Sequence, residues 1–402
     1  MINHPIMPVI MLIAQIISWR FFNSLVGKSC KFLVFLLFLL FNLAALPCFY
    51  FLYYSDTPPP TSLFLWNYVF RPAYLWELVH LCWLPLCLLL TILGAIFGKL
   101  REQKNRGLQR LFKDSQSKSK LADLRVFLLI FMLAVAAYGY GHQLKPPTIN
   151  QVNLAIANLS PSLNGYKIAL LSDLHYGRGL NLTELGNVFA RVAAQKPDLV
   201  LLAGDLVDRK ASFALDFRIP MRALREVPNG VYAVLGNHDK KVDSTQNLIA
   251  NLESTNLIIL QNTSVNLANR PMTLIGFDDP GTQDLVYHKE ANTLNFDSLT
   301  GPRPRLGDLV TVIKHRPEGL DDAASHGVKL FLAGHTHGGQ VSSPWNKEIN
   351  IASTIHGYPY TTGLYKISDL NLFVTNGLAS ITQARLFAWP EIVIITLNPA
   401  SN

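Results

Sequence analysis

The sequence predicts an α/β protein, a layered sandwich of strands and helices preceded by an all-α multi-pass membrane domain. Three observations carry this expectation. Charge-free apolar runs occupy the first third of the 402 residues, short apolar runs alternate with longer amphipathic ones from Tyr166 onward, and the charge is unequally divided between the two parts. Of the 35 Lys and Arg residues 13 precede residue 144, against 5 of the 27 Asp and Glu, so the remainder balances at 22 of each. The net +8 therefore belongs to the first part, and the neutral second part has no electrostatic footprint for nucleic acid.

The first part, 1–144, is expected to hold three to four membrane-spanning helices. Phe32 to Tyr54 has no charged residue over 23 positions, and Leu78 to Phe97 none over 20. Each is long enough to cross a hydrocarbon core of about 30 Å at about 1.5 Å per residue. Val126 to Leu144 is a third, weaker run, ending among Gly139, Gly141, His142 and Gln143. Ile6 to Trp19 is short and spans only if Arg20 snorkels while Phe21, Phe22 and Leu25 continue it, so segment 6–25 is left open. No basic residue precedes Ile6, which fits a cleaved signal peptide poorly.

Loop charge sets the expected orientation, because Lys and Arg near membrane ends stay on the cytoplasmic side. Arg20 to Lys31 has three basic residues and no acid, and Lys99 to Arg125 has nine basic and three acidic, so both belong inside. Ser55 to Glu77 has one basic residue, Arg71, and belongs outside. The second domain, 145–402, then lies outside a bacterial inner or plasma membrane. Cys30, Cys48, Cys82 and Cys87 all lie in the first part, which leaves the second with no disulfide, thiolate ligand or cysteine nucleophile.

In the second part Lys167 to Leu171, Leu199 to Leu202, Val231 to Leu235, Met272 to Ile275, Leu309 to Ile313 and Lys329 to Leu332 read as strands. Glu184 to Gln195 and Phe217 to Glu226 read as helices covering the sheets. Five motifs sit where a strand has just ended: Asp173-Leu174-His175, Gly204-Asp205-Leu206-Val207-Asp208-Arg209, Gly236-Asn237-His238-Asp239, His315, and Gly334-His335-Thr336-His337. Singly, an Asp-x-His or His-x-His is a common polar turn. Together, in this order and each at a strand end, they gather seven oxygen and nitrogen donors at one sheet edge, where α/β proteins place their sites. Glycines 204, 236 and 334 precede the donors and suit tight turns.

On these motifs the chain resembles the calcineurin-like metallophosphoesterase family over about residues 164 to 397. It is most similar to the membrane-associated bacterial branch of YkuE-like and YaeI-like phosphoesterases. Gly338-Gly339-Gln340, Thr362-Gly363-Leu364-Tyr365, Asn376-Gly377-Leu378 and Pro390-Glu391 support the branch. The resemblance implies a four-layer sandwich, two β-sheets flanked by helices. It also implies two divalent metal ions, one on Asp173, His175, Asp205 and His337, the other on Asp205, Asn237, His315 and His335, with Asp205 bridging. A mixed carboxylate and imidazole set suits Mn, Fe or Zn better than Ca.

The implied activity is metal-dependent hydrolysis of phosphomono- or phosphodiesters. Two ions about 3.5 to 4 Å apart clamp a phosphoryl oxygen and lower the pKa of a shared water from about 16 towards 7, giving the attacking hydroxide. His238 is the candidate general acid, with Asp208 orienting its ring. Arg209 and Asp239 are read as securing their loops. His288, His326 and His356 are read as ordinary histidines, Arg178 and Arg385 are unassigned between phosphate contact and structural ion pair, and Asp278-Asp279-Pro280 is either a cleft-lining or a plain acidic turn.

Anchoring suggests a lipid or cell-envelope phosphoester as substrate and the bilayer as partner; the oligomeric state is not legible. A nucleotide-sugar lipid pyrophosphatase of the same superfamily is the alternative enzyme, but it needs a cytoplasmic site. A non-catalytic membrane receptor predicts a lost ligand, and none is lost.

Overall fold

The computed structural model describes residues 115–281, 294–379 and 385–400, with scattered positions between 32 and 92. The chain divides into two compact units, Met1–Tyr54 with Leu63–Gly141, and Ser55–Ser62 with His142–Asn402. Helix α1 spans Ser115–Gln143 and takes in nearly all of the apolar run that starts at Val126. Residues 115–125, expected as loop, are helical, as their Lys, Leu, Ala and Arg content favours. Among the described residues no helix is long and apolar enough to cross a membrane. The run Phe32 to Tyr54 lies about half, Leu78 to Phe97 mostly, and segment 6–25 wholly outside the described residues.

The second unit holds two six-stranded sheets. The first has the order β1 (Thr148–Ile156), β12 (Glu391–Pro399), β2 (Lys167–Leu171), β3 (Leu199–Ala203), β4 (Val231–Val234), β5 (Ile258–Ile259). The second has the order β10 (Gly363–Ile367), β11 (Leu370–Val374), β9 (Leu330–Ala333), β8 (Leu309–Lys314), β7 (Met272–Phe277), β6 (Thr263–Asn266). Both are mixed. β2 to β5 run parallel and so do β11, β9, β8 and β7, whereas β12 is antiparallel to β2 and β6 and β10 are antiparallel edge strands.

The strands read as unbroken apolar runs because both faces of each sheet are covered. Ile168 and Leu170 of β2 face the core between the sheets, with Leu274, Ile313, Leu332 and Phe373 opposite. Their neighbours Ala169 and Leu171 point the other way, into a core with Val188, Phe189 and Phe217. The far face of the second sheet buries Val312, Phe331 and Leu372 against Leu320 and Ala323 of helix α4, Leu320–Ser325, a numbering that counts α2 (Leu182–Ala194) and α3 (Thr245–Glu253) before it. Helix α2 starts at a capping box in which the Asn181 side chain accepts from Glu184 N and the Glu184 carboxylate accepts from Asn181 N.

One helix differs from expectation. Phe217 to Glu226 is not an α-helix; the region forms two 3₁₀ segments, Ala211–Arg218 and Pro220–Leu224, because Pro220 supplies no N–H and its ring clashes with the preceding turn.

Candidate metal centre

All seven donors predicted to bind metal follow strands. Asp173 and His175 follow β2, Asp205 β3, Asn237 β4, His315 β8, and His335 and His337 β9. Candidates from the two sheets meet across the gap between them. Nε2 of His337 lies 3.6 Å from Oδ1 of Asp173, and Nε2 of His315 lies 3.2 Å from Oδ2 of Asp205. That same Asp205 oxygen is 3.6 Å from Nε2 of His175, which in turn is 3.3 Å from Nε2 of His337.

Two groups result, each with one donor atom per residue and all within 4.8 Å: Asp173, His175 and His337, and Asp205, His315 and His335. A third trio, His175, Asp205 and His238, meets the same test. Asn237 is buried, and its side-chain oxygen makes no hydrogen bond among the described residues; nor does Oδ1 of Asp173. Buried oxygens left bare are costly unless something else satisfies them, and a cation does so. The imidazoles are oriented in a matching way. Nδ1 of His315 faces the carbonyl of Ala203 at 2.7 Å and Nδ1 of His337 that of Ala379 at 3.0 Å, which turns both Nε2 atoms inward. His335 is reversed, with Nε2 3.0 Å from the Tyr358 hydroxyl and Nδ1 3.2 Å from Nε2 of His315. The donor set and its orientation therefore fit divalent metal.

The backbone bends sharply to bring these groups in. Asp173, His175, Asp205, His335 and His337 all have positive φ, between 43° and 72°, a conformation costing non-glycine residues on the order of 1 kcal/mol or more each. Of the three glycines expected in unusual conformations only Gly204 has one, with φ of 83°. Gly236 and Gly334 instead permit close approach: a Cβ would lie 2.2 Å from Oδ1 of Asp205 at the first and 2.0 Å from Oγ of Ser172 at the second.

The carboxylates of the cluster favour protons on two of its imidazoles. Burial pulls the His175 imidazole down, but Asp208, Asp205 and Asp173 outweigh it and lift His175 to about 9. Burial likewise opposes, and Asp205 and Asp173 favour, a proton on His315, which rises to about 10. Burial keeps His337 down at about 3, despite the attraction of Asp173, and holds His335 well below the usual range, with His315 adding to the effect. Burial raises Asp205 and Asp208, yet His315 and His238 respectively, with other imidazoles beside them, hold both as carboxylates.

The side chain of His238 is 20% exposed, and its Nδ1 is 2.6 Å from Oδ1 of Asp208. Its backbone N–H donates to Oδ1 of Asp205 at 2.7 Å. Asp239 is fully buried and accepts from the N–H groups of Leu206, Val207 and Gly236, pinning the β3 and β4 loops together. Arg209 lies over the Phe213 ring, and His326 stacks on Phe296; neither is placed among the donors. His288 lies outside the described residues, and His356 is half-buried.

Asp278 and Asp279 act as loop ties. Asp278 pairs with Lys240, and Oδ2 of Asp279 accepts from Nε of Arg316 at 2.9 Å, holding the turn after His315. Arg385 is fully buried and is a clamp. Its guanidinium donates to the carbonyls of Asn376 (2.6 Å), Ala388 (3.1 Å) and Ala379, the carbonyl that also faces His337. Arg178 is half-buried, and its backbone N–H donates to the carbonyl of His175 at 3.0 Å. The sequence alone does not single out Tyr358, and it left Arg385 between phosphate contact and ion pair, whereas its guanidinium grips backbone carbonyls.

Residues 166–339 match the family described as calcineurin-like phosphoesterase. The chain is 30% identical over 300 residues to the bovine transmembrane protein with metallophosphoesterase domain, covering 71% of this chain and 65% of that protein. It is 29% identical to phosphodiesterase YaeI of Escherichia coli K12, covering 65% of this chain and 93% of the relative. With the metallophosphoesterase YkuE of Bacillus subtilis it shares 28% identity, covering 66% and 92%.

Proposed function

Residues 166–339 form a calcineurin-like phosphoesterase domain, and on that premise we propose that the chain is an integral-membrane, two-metal hydrolase of phosphomono- or phosphodiesters. The observation that carries this reading is the position of Oδ2 of Asp205, within 3.6 Å of His175 on one side and 3.2 Å of His315 on the other. A carboxylate there serves both donor groups. One metal is held by Asp173, His175, Asp205 and His337, the second by Asp205, Asn237, His315 and His335, with Mn, Fe or Zn as the candidate ions.

When bound, such a pair of ions supplies Lewis-acid charge to a phosphoryl oxygen and lowers the pKa of water. The chain supplies the rest. His238 gives the proton to the leaving oxygen from its exposed edge, and Asp208 fixes the orientation of its ring.

Membrane anchoring is supported by the charge-free runs Phe32 to Tyr54 and Leu78 to Phe97, and by bovine and zebrafish relatives named as transmembrane proteins. The loop charges favour an extracytoplasmic site in a bacterial inner or plasma membrane, where lipid or envelope phosphoesters are the substrates within reach. The deciding experiment is a hydrolysis screen of the full chain in detergent with Mn added, using p-nitrophenyl mono- and diesters and phospholipids. Turnover of at least one class, abolished by chelation and restored by metal, is expected. A chain with two ions bound and no turnover of any overturns the reading.

A further inference from the structure

The excursion between the His337 turn and Thr361 carries an apolar surface that the metal centre does not use. Trp345 is 93% exposed, Ile349 59% and Ile355 67%, and Val341 and Ile351 are also exposed. Single exposed apolar residues are ordinary; five within one short excursion are not. The local structure explains their common display. Ser342 pairs with Asn350 as a narrow antiparallel bridge and Ser343 N donates to the carbonyl of Ile349 at 2.8 Å, which puts Trp345 at the tip of a loop. Helix α5, Ile351–Thr354, follows, and Ile351 and Ile355 lie four residues apart on one side of it.

The excursion is tied to the donor loop. Nδ2 of Asn350 donates to Lys347 O and to Oγ1 of Thr361, both at 2.7 Å, and Oγ1 of Thr336, between His335 and His337, donates to Thr361 O at 2.6 Å. Gly339 leaves no room between them, since a Cβ there would lie 2.3 Å from Oδ1 of Asn350. Whatever the loop rests on is therefore held at a fixed distance from the cluster.

We propose that this excursion docks on a lipid bilayer surface and presents the metal centre to phosphoesters of the headgroup layer. The proposal rests on the membrane-bound phosphoesterase reading and names its substrate class. An exposed Trp with Ile neighbours, a single Lys (Lys347) and a single acid (Glu348) has the chemistry of an interfacial anchor, indole at headgroup level and aliphatic groups below. The chain's own charge-free runs, 23 and 20 residues long, keep a bilayer within reach. A second copy of the chain is a poorer occupant, because a stable dimer interface engages about 20–30 residues a side and five are offered here.

The test uses the full chain with its four cysteines replaced by Ser, carrying Trp345→Cys or, separately, Ile355→Cys, labelled with an environment-sensitive fluorophore. It is incorporated into phosphatidylethanolamine–phosphatidylglycerol vesicles and recovered by flotation. Quenching of both labels by nitroxide on the upper acyl chain, with protection from aqueous iodide, is expected. Floating chain whose labels respond only to iodide overturns the docking and leaves the membrane reading standing; chain that does not float overturns both. Disulfide-linked dimers through position 345 overturn it in favour of self-contact. In a Trp345→Ala, Ile349→Ser, Ile355→Ser variant, hydrolysis of a bilayer-borne phosphodiester should fall about tenfold or more with a soluble p-nitrophenyl ester unaffected. Equal loss on both substrates overturns the proposal.

Discussion

The carboxylate of Asp208 lies 2.6 Å from Nδ1 of His238, and its other oxygen is 3.3 Å from Nδ1 of His175. One buried acid thus orients the candidate proton donor and lies against a candidate ligand. His238→Ala should keep its metal and lose rate by about a hundredfold or more, and the loss should shrink for esters with good leaving groups. Because His175, Asp205 and His238 also form a metal-sized trio, metal analysis is the control. A variant that binds one ion fewer makes His238 a ligand.

Asp205→Asn should remove nearly all hydrolysis and reduce bound metal, since the exchanged oxygen serves both donor groups. The fold should remain, because Asp205 contributes no apolar packing. Near wild-type turnover with two ions bound would falsify the bridging assignment.

The phenol of Tyr358 is 3.0 Å from Nε2 of His335, and burial with the charge of Glu318 keeps it from ionising. Its task is to fix which imidazole nitrogen faces inward. Tyr358→Phe should weaken the metal on the His315 and His335 side by about 10-fold to 100-fold with the other site retained, read by competition with a chelating dye. Unchanged affinity at both sites would show the contact to be packing only.

Metal loading should release protons. His175 and His315, lifted to about 9 and about 10, hold protons at pH 7 that a bound cation displaces. Apparent affinity should climb as pH rises towards that range, and calorimetry in buffers of different ionisation enthalpy should count one to two protons released near pH 7. For the metal-free fold the sign is opposite. Raised values mean that these protons stabilise the folded state fully below the unfolded value of about 6.5, a contribution lost as pH rises through about 9 to 10. A metal affinity independent of pH between 6 and 9 would refute this.

Sidedness can be read directly. A reporter active only outside the cytoplasm, fused after Asn402, should be active, and protease added to spheroplasts should digest the catalytic domain. A domain cut only after lysis reverses the topology.

Six strands buried on both faces were legible because their residues are almost all apolar, as in Leu199–Ala203, whereas Leu370–Val374 and Glu391–Pro399, just as buried over most of their length, were not read. Thr148–Ile156, half-exposed with polar residues, and Ile258–Ile259, only two residues long, were not, because their existence depends on neighbours distant in sequence. Phe217 to Glu226 had helical spacing, and Pro220 overrode it. At the site the converging donors could be listed from sequence because each motif sits at a strand end. Arg385 could not be placed, because its partners are carbonyls, which any sequence supplies.

Strand β12 lies between β1 and β2, although among the described strands the ribosome makes it last. Until residues 391–399 emerge, β1 has no neighbour and β2 presents an open edge. The same strand brings Glu391, whose carboxylate accepts from Asn376 N at 2.9 Å, and the loop from Asn376 binds Ala379 N to the carbonyl of Asp173 at 2.8 Å. A nascent chain halted short of this strand thus carries every donor and lacks the frame that aligns Asp173 with His337. A premature stop near residue 390 is therefore expected to leave every candidate donor in the chain without the frame that brings them together.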